Sequence, residues 1–249
     1  MAIHLLNCFT CNARWPSNLK TGMVCLLMET DQGLTLVDTG LGLEEYIKPT
    51  WMTRLFRSIT IMPFSPAEAA FNQAKKLGYN PNDVKHIILT HMHFDHCSGL
   101  PDFPHARVHV HKREYEAFTD NKILHWDEYA YIPRYIAHQP KFVLYENITD
   151  KWYDFDAIRL PFEPEMYFIP LFGHSRGHCG LAIKTSTGWF FHAADAGAVY
   201  NNETPEWLIK FVLGPHDPLL RAFMHAHPEV LISNSHMVPE FFTQHSTIA

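Results

Sequence analysis

The sequence predicts an α/β fold in which strands and helices alternate along a single domain, and three observations support this prediction. Apolar runs of strand length are interleaved with segments of helical pattern. A chain of 249 residues with 47% hydrophobic and 18% charged residues can bury one large core. No internal repeat, low-complexity tract or linker divides residues 1–249.

The first predicted elements are two strands joined by a hairpin. Residues 23–29 and 34–38 are apolar runs of strand length. The intervening Asp31-Gln32-Gly33 is typical of a hairpin connection. The second strand is followed by Thr39-Gly40, a turn.

A helix is expected over residues 67–77. Ser65 can cap its first turn, Pro66 suits the first helical position, and Glu68 can complete a capping box. Gly78 can end the helix, because glycine adopts the backbone conformation that follows a last turn.

Strands and helices continue to alternate through the rest of the chain. The apolar run 86–90 is typical of a buried strand, and a histidine cluster follows it immediately. Further strands are predicted at 107–110, 166–169, 181–184, 189–192 and 230–233, and helices at 112–118 and 218–226.

Two segments, 41–64 and 124–153, are rich in aromatic residues and lie outside the strand pattern. One interpretation makes them a substrate lid or the subunit contact of a homodimer. Ordinary core packing is the alternative, and the sequence leaves both open.

Charge and hydropathy restrict the partners of the protein. A net charge of −6 without a run of Lys or Arg disfavours nucleic acid or an anionic membrane surface, and favours a small-molecule substrate. The longest apolar run, 23–28, has six residues, whereas a bilayer requires about 20. Residues 1–10 lack the pattern of a signal peptide, and five cysteines need not pair, so a cytoplasmic protein with reduced thiols is expected.

Histidine is the unusual residue, with 18 copies, and three of them lie in one short stretch. His91, His93, Asp95 and His96 place three imidazoles and one carboxylate within six residues, directly after a predicted strand. In an extended loop His91 and His93 point to the same side and can bind one ion, while Asp95 and His96 turn toward a second. A polar surface loop is the alternative, but this spacing is typical of a metal site.

Such a cluster needs further ligands to hold two metal ions, and candidates follow three later apolar runs. His174, Asp195 and His236 each come just after a predicted strand. Side chains at these positions can converge on one edge of a sheet. The sequence therefore predicts that residues far apart in the chain form one metal site.

These motifs resemble those of the metallo-β-lactamase fold superfamily of metallohydrolases. Five of them occur here in the same order, and they are Asp38-Thr39-Gly40, His91-x-His93-x-Asp95-His96, Gly173-His174-x-x-Gly177-His178, Asp195 and His236. The resemblance implies a four-layer αβ/βα sandwich, in which two mixed β-sheets are flanked by helices and the metals lie at one edge.

The resemblance also implies the roles of these residues. His91, His93 and His174 would hold the first metal, Asp95, His96 and His236 the second, and Asp195 would bridge them. Asp38 and His178 would support the ligands, and we expect the remaining histidines to be structural or exposed.

The ligand chemistry favours two divalent metal ions, with Zn²⁺ first and Mn²⁺, Fe²⁺ or Co²⁺ as alternatives, because imidazole and carboxylate occur without thiolate. The di-iron oxidoreductases of the superfamily have glutamate where this chain has His93, so hydrolysis is favoured over redox chemistry. Two such ions would generate a bridging hydroxide that attacks a carbonyl, with Asp95 shuttling the proton.

The motif spacing resembles the quorum-quenching lactonase branch, and the expected reaction is hydrolysis of a lactone or similar ester. Tyr200 would donate a hydrogen bond to the oxyanion, as a tyrosine near this motif does in those lactonases, and Arg176 could anchor a substrate carboxylate. Two alternatives remain open, a glyoxalase II-like thioesterase and a metal-binding protein without catalytic activity.

Overall fold

The computed structural model describes residues 2–13, 20–120, 126–200 and 204–248. Within these residues the chain forms two β-sheets, and the first has nine strands. The strands of the first sheet are β1 (Ile3–Ala13), β2 (Lys20–Thr30), β3 (Gly33–Val37), β4 (Thr60–Ile61), β5 (Val84–Ile88), β6 (Arg107–His111), β7 (Lys141–Tyr145), β14 (His236–Met237) and β15 (Thr247–Ile248).

The second sheet has six strands within the described ranges. They are β8 (Asp150–Trp152), β9 (Phe155–Leu160), β10 (Met166–Pro170), β11 (Cys179–Thr185), β12 (Gly188–Ala194) and β13 (Leu231–Asn234).

Helices connect and cover the strands. The α-helices are α1 (Leu43–Ile47), α2 (Trp51–Ile59), α3 (Ala70–Lys76), α4 (Phe94–Cys97), α5 (Lys112–Thr119), α6 (Glu206–Leu213), α7 (Asp217–Ala226) and α8 (Pro239–Gln244). Short 3₁₀ helices are formed by Pro66–Glu68, Pro81–Asp83, Leu100–Asp102, Trp126–Ala130 and Pro133–Ile136. None of the helices in the described part of the chain is long and apolar enough to cross a bilayer.

Both sheets are mixed. The first runs in the order β15-β1-β2-β3-β5-β6-β7, antiparallel from β15 to β3 and parallel from β3 to β7, while β4 pairs with β1 and β14 with β2. The second runs β13-β12-β11-β10-β9-β8, and only its β12–β13 pair is parallel. Parallel neighbours need crossover connections, which explains why helices lie between these strands in the chain.

Three apolar clusters order the sheets and helices into four layers. The central cluster joins the inner faces of the two sheets, for example Leu26 of β2 and Phe168 of β10. A second cluster packs helices, including Ala74 of α3, on the outer face of the first sheet. The third packs Phe223 of α7 and its neighbours on the outer face of the second sheet. The predicted αβ/βα sandwich is confirmed.

The predicted strands and helices are confirmed, although their ends differ from the prediction by a few residues. One predicted detail, the capping box at Glu68, was wrong. Each predicted strand lies on an observed one, and the two-residue loop Asp31-Gln32 joins β2 to β3. The helix expected over 67–77 begins as a 3₁₀ turn in which Ser65 Oγ accepts from Ala67 N, and continues as α3. Glu68 does not complete a capping box, because its carboxylate accepts hydrogen bonds from Thr10 instead.

Candidate active site

The seven predicted ligands come together at one edge of the sandwich. The first four follow β5, while His174 follows β10, Asp195 follows β12 and His236 begins β14. Their ligand atoms form three overlapping groups, each with all atoms within 4.8 Å of one another. The groups are His91, His93 and His174; His91, His96 and Asp195; and Asp95, His96 and His236.

The local backbone explains how one short stretch faces two positions. His93 is extended and is the N-cap of the four-residue helix α4, so His91 and His93 precede this helix while Asp95 and His96 lie within it. The change from extended to helical backbone alters the directions of successive side chains, so that His91 and His93 group with His174 while Asp95 and His96 group with His236. All four residues are buried.

The Asp195 carboxylate lies at the centre of the cluster. Its Oδ2 atom faces the Nε2 atoms of four histidines, at 3.3 Å from His174, 3.4 Å from His96, 3.7 Å from His236 and 4.0 Å from His91. His236 Nε2 also lies 3.6 Å from Asp95 Oδ2. Asp195 Oδ2 therefore faces His91 and His174 as well as His96 and His236, which belong to different groups of the cluster.

The polar atoms of the cluster fit divalent metal ions. His91 Nε2 is buried and makes no hydrogen bond to any described residue, a costly arrangement for a polar atom without a ligand. His93 Nδ1 and His174 Nε2 face each other at 3.1 Å. The set offers five imidazoles and two carboxylates, which are the nitrogen and oxygen donors that zinc and related ions bind. The cluster could hold metal.

Asp38 supports His96, one of the predicted ligands. Its Oδ2 accepts hydrogen bonds from His96 Nδ1 at 2.8 Å and Thr90 Oγ1 at 2.7 Å, and its Oδ1 accepts from Thr90 N at 2.8 Å. A proton on Nδ1 leaves the Nε2 lone pair directed into the cluster. Asp38 adopts a φ of 52°, a turn conformation that aspartate tolerates better than most residues.

His178 and a backbone carbonyl support other ligands. His178 Nδ1 donates to Leu171 O at 3.2 Å, and its Nε2 accepts from Asp195 N at 3.1 Å, so this histidine positions Asp195. His174 Nδ1 donates to Val212 O at 2.8 Å, which leaves the Nε2 lone pair directed into the cluster. Sequence reasoning missed Val212, because a backbone acceptor carries no residue pattern.

Burial and charge set the protonation states. Burial and the neighbouring His96 hold the pKa of His91 well below its usual range, and burial lowers the pKa of His174 to about 4. Burial alone would raise the pKa of Asp195, but His236 and His96 hold it well below the ordinary value. Neutral imidazole and ionised carboxylate are the forms that bind metal.

His96 differs from the other histidines. Burial would lower its pKa, but the carboxylates of Asp195, Asp38 and Asp95 hold that pKa well above the usual range. The same negative charge that stabilises an imidazolium here would stabilise a metal cation.

A cavity of 770 Å³ opens onto the cluster. Its floor consists of cluster residues, and its walls are mainly apolar. The walls are formed by Trp51, Met52, Leu55 and Phe56 of α2, Val212 and Leu213 at the end of α6, and by Phe94, Tyr129, Ala130, Cys11 and Thr21. No Lys or Arg is among the described residues that line it, so its ionisable groups are those of the histidine and aspartate cluster.

The two aromatic segments divide between the cavity and the core. Helix α2, in segment 41–64, forms one wall of the cavity. In segment 124–153, Tyr129 also lines it, whereas Tyr135 and Trp152 are buried in apolar clusters. Leu124 lies outside the described residues. The lid and homodimer interpretations stay predictions.

Tyr200 and Arg176 lie away from the cavity wall. The Tyr200 hydroxyl donates to Ile232 O at 2.9 Å, and Arg176 Nε donates to Glu128 Oε1 at 2.5 Å. Neither residue is among those that line the cavity. The structure thus does not bring either side chain together with the cluster, and the oxyanion role of Tyr200 stays a prediction.

Comparison with known sequences places these motifs in a family. Residues 23–222 match the metallo-beta-lactamase superfamily. A probable metallo-hydrolase of Mycobacterium tuberculosis is 34% identical over 223 residues, which cover 88% of this chain and 69% of that protein. An N-acyl homoserine lactonase of Bacillus thuringiensis is 31% identical over 162 residues, covering 65% of this chain and 58% of the relative.

Solved structures share the fold. The B. thuringiensis lactonase AiiA, with N-decanoyl-L-homoserine bound at its active site, has a TM-score of 0.68 at 22% identity, over 97% of this chain and 95% of that one. AidC, a dizinc quorum-quenching lactonase, has a TM-score of 0.57 at 20% identity, over 88% and 74% of the two chains.

Proposed function

Because this chain belongs to the metallo-β-lactamase superfamily and is a metal-dependent hydrolase, we propose that it uses two divalent metal ions to hydrolyse a lactone or similar ester. The observation that carries the proposal is the convergence of five histidines and two aspartates at the floor of an apolar cavity. The candidate metal ligands therefore lie next to a cavity that can hold a substrate.

The proposed ligand sets follow the geometry of the cluster. His91, His93 and His174 hold the first ion, and Asp95, His96 and His236 hold the second. Asp195 serves both, since its Oδ2 faces histidines of each set. We propose Zn²⁺ as the metal, because the donors are imidazole and carboxylate and the similarly folded AidC is a dizinc enzyme.

When bound, such a pair of ions supplies a water of lowered pKa as nucleophile and polarises the substrate carbonyl. Asp95 lines the cavity, so its carboxylate can accept a proton from the attacking water and return it to the leaving oxygen. Asp38 and His178 keep His96 and Asp195 oriented during this transfer. The surrounding walls are mainly apolar and so offer little competing polar surface to these groups.

The cavity favours a neutral, apolar substrate. Trp51, Leu55 and Leu213 offer apolar surface to a hydrocarbon group, and no cation among the described lining residues is available for a substrate carboxylate. Arg176, the expected anchor, is instead paired with Glu128. A thioester of glutathione carries carboxylates, so the lining supports a lactone with an apolar group over a glyoxalase II-like substrate. The lactonases among the relatives agree with this choice.

The test is the purified, zinc-loaded chain assayed for opening of N-acyl homoserine lactones and for cleavage of S-lactoylglutathione. We expect lactone opening, a loss of about 10²-fold or more in Asp95→Asn, and full activity in Asp156→Asn, which alters an exposed aspartate of β9. Preferential cleavage of S-lactoylglutathione would establish the thioesterase instead. Inertness toward both substrates, with two metals bound, would support a binding protein.

A further inference from the structure

A buried carboxylate that is not a proposed ligand connects the loops that carry His91, His93 and His174, the histidines proposed to hold the first metal ion. Glu114, in the first turn of α5, is fully buried. Its Oε1 accepts hydrogen bonds from Met92 N at 2.8 Å and the Tyr131 hydroxyl at 3.0 Å. Its Oε2 accepts from Ser175 Oγ at 2.7 Å and Gly177 N at 2.9 Å.

The donors belong to segments that carry or contact the ligands. Met92 lies between His91 and His93, and Ser175 directly follows His174. The Tyr131 ring packs against His93 with ring centres 5.4 Å apart. Glu114 therefore contacts both loops and one side chain that supports a ligand, although it contributes no atom to the cluster.

We propose that Glu114 is a positioning residue that holds residues 91–93 and 174–177 at the separation at which His91, His93 and His174 meet one metal ion. This inference rests on the proposed metal-binding function. The 3.1 Å approach of His93 Nδ1 to His174 Nε2 depends on the placement of these two loops. Glu114 accepts from both Met92 N and Gly177 N, so one side chain links the two loops beside the backbone hydrogen bond from Cys179 N to Thr90 O.

The packing of Gly177 supports the same role. A Cβ atom at Gly177 would lie 2.2 Å from the backbone nitrogen of Glu114, so only glycine lets the loop approach the first turn of α5 this closely. This contact assigns a physical reason to the second glycine of the Gly173-His174-x-x-Gly177-His178 motif.

The arrangement requires a carboxylate. All four partners donate to Glu114, two of them through backbone N–H groups that cannot reverse their role. A glutamine has one accepting oxygen and one donating NH₂ group, so it must face either Met92 N or Gly177 N with a donor. Burial makes such an unsatisfied pair costly, and one of the two loops would shift.

The experiment measures metal binding by Glu114→Gln in the full chain, by competition for Zn²⁺ with a chromogenic chelator and by the visible absorption spectrum after Co²⁺ substitution. We expect Zn²⁺ affinity about 10- to 100-fold weaker than in the wild type, and a changed Co²⁺ spectrum. The matched control is Glu116→Gln, which alters an exposed glutamate on the same helix and should leave both readouts unchanged.

Thermal unfolding of the metal-free proteins separates positioning from simple stabilisation. If Glu114→Gln lowers the melting temperature but binds Zn²⁺ with wild-type affinity and spectrum, the inference is wrong and the proposed function stands. If the wild type binds no metal, both the inference about Glu114 and the proposed function are wrong.

Glu114→Asp provides the decision should Glu114→Gln fail to fold. It keeps a carboxylate but shortens the side chain by one methylene, so its two oxygens cannot reach both Met92 N and Gly177 N as the Glu114 oxygens do. We expect Zn²⁺ affinity to fall several-fold and the Co²⁺ spectrum to change. Wild-type affinity and spectrum in this variant would overturn the role of Glu114.

Discussion

The hydrogen bonds of Asp38 determine which nitrogen of His96 faces the other predicted ligands of the cluster. Asp38→Asn must direct an NH₂ group at either His96 Nδ1 or Thr90 N, both of which donate to the carboxylate in the observed structure. We expect Zn²⁺ affinity to fall about 10- to 100-fold. Competition titration checks this, with the exposed Asp83→Asn as the control, and unchanged affinity would show that the tautomer of His96 is fixed by something else.

Tyr200 offers a second single-residue test. Its hydroxyl donates to Ile232 O, so Tyr200→Phe should change kcat for lactone hydrolysis by no more than about threefold, whereas loss of an oxyanion donor costs about 10²- to 10³-fold. Steady-state kinetics distinguish these results. A loss of 10²-fold or more would mean that the hydroxyl reaches the substrate during turnover.

Single residues differ in how far the sequence predicted their positions. His91 to His96 could be found because four candidate ligands lie within one short stretch after an apolar run. Glu114 and the Val212 carbonyl could not, since each acts through a hydrogen bond to a distant segment. A glutamate near a helix start has the same local pattern whether it is buried or exposed.

Helix α2 forms a wall of the cavity, and substitutions in this helix test whether the substrate has an apolar group that contacts it. Trp51 lines the cavity, so Trp51→Ala should raise KM for a lactone with a long acyl chain about tenfold and leave kcat within about threefold. Ile59→Ala, on the same helix but not among the lining residues, is the matched control. An unchanged KM in Trp51→Ala would place the apolar group of the substrate elsewhere.

Strands β5, β6 and β7 carry two buried histidines and a half-buried tyrosine that form a polar row and make stability depend on pH. His109 Nε2 lies 2.9 Å from His86 Nδ1, and His109 Nδ1 lies 2.8 Å from the Tyr145 hydroxyl. Burial, with the charges of His86 and Arg107, lowers the pKa of His109 from 6.5 to about 4. Between those values the unfolded chain binds a proton that the folded protein does not, so stability falls as the pH falls.

Urea unfolding of the metal-free protein checks this linkage. Between pH 7 and pH 5 the wild type should lose about 2 kcal/mol more unfolding free energy than His109→Gln, which cannot titrate. The exposed His105→Gln should behave as the wild type. Equal losses in the wild type and His109→Gln would show that His109 titrates alike in the folded and unfolded chains.

The elements that the sequence predicted are those with simple apolar patterns. β3 and β12 are short apolar runs, and both were found. β1 was missed because Asn7 and Thr10 interrupt its apolar residues, and its register shifts between them. α2 was recognised only as an aromatic segment, since Trp51 and Leu55 face a cavity whose presence depends on distant residues.

At the scale of the whole molecule, the two-sheet topology brings residues 91–96 of one sheet next to Asp195 of the other. The positions of these residues just after predicted strands predicted this convergence, and the resemblance of the motif order to that of the superfamily agreed with it. The strand order and the shape of the cavity could not be predicted, because they depend on how the three apolar clusters pack against each other.

The central claim is that these seven side chains bind a pair of metal ions, and elemental analysis of the purified full chain tests it most directly. The expected result is two divalent transition metal ions per chain, falling to one or fewer in His96→Ala. A wild-type chain that contains no such metal, and still binds none after incubation with Zn²⁺, would contradict the account.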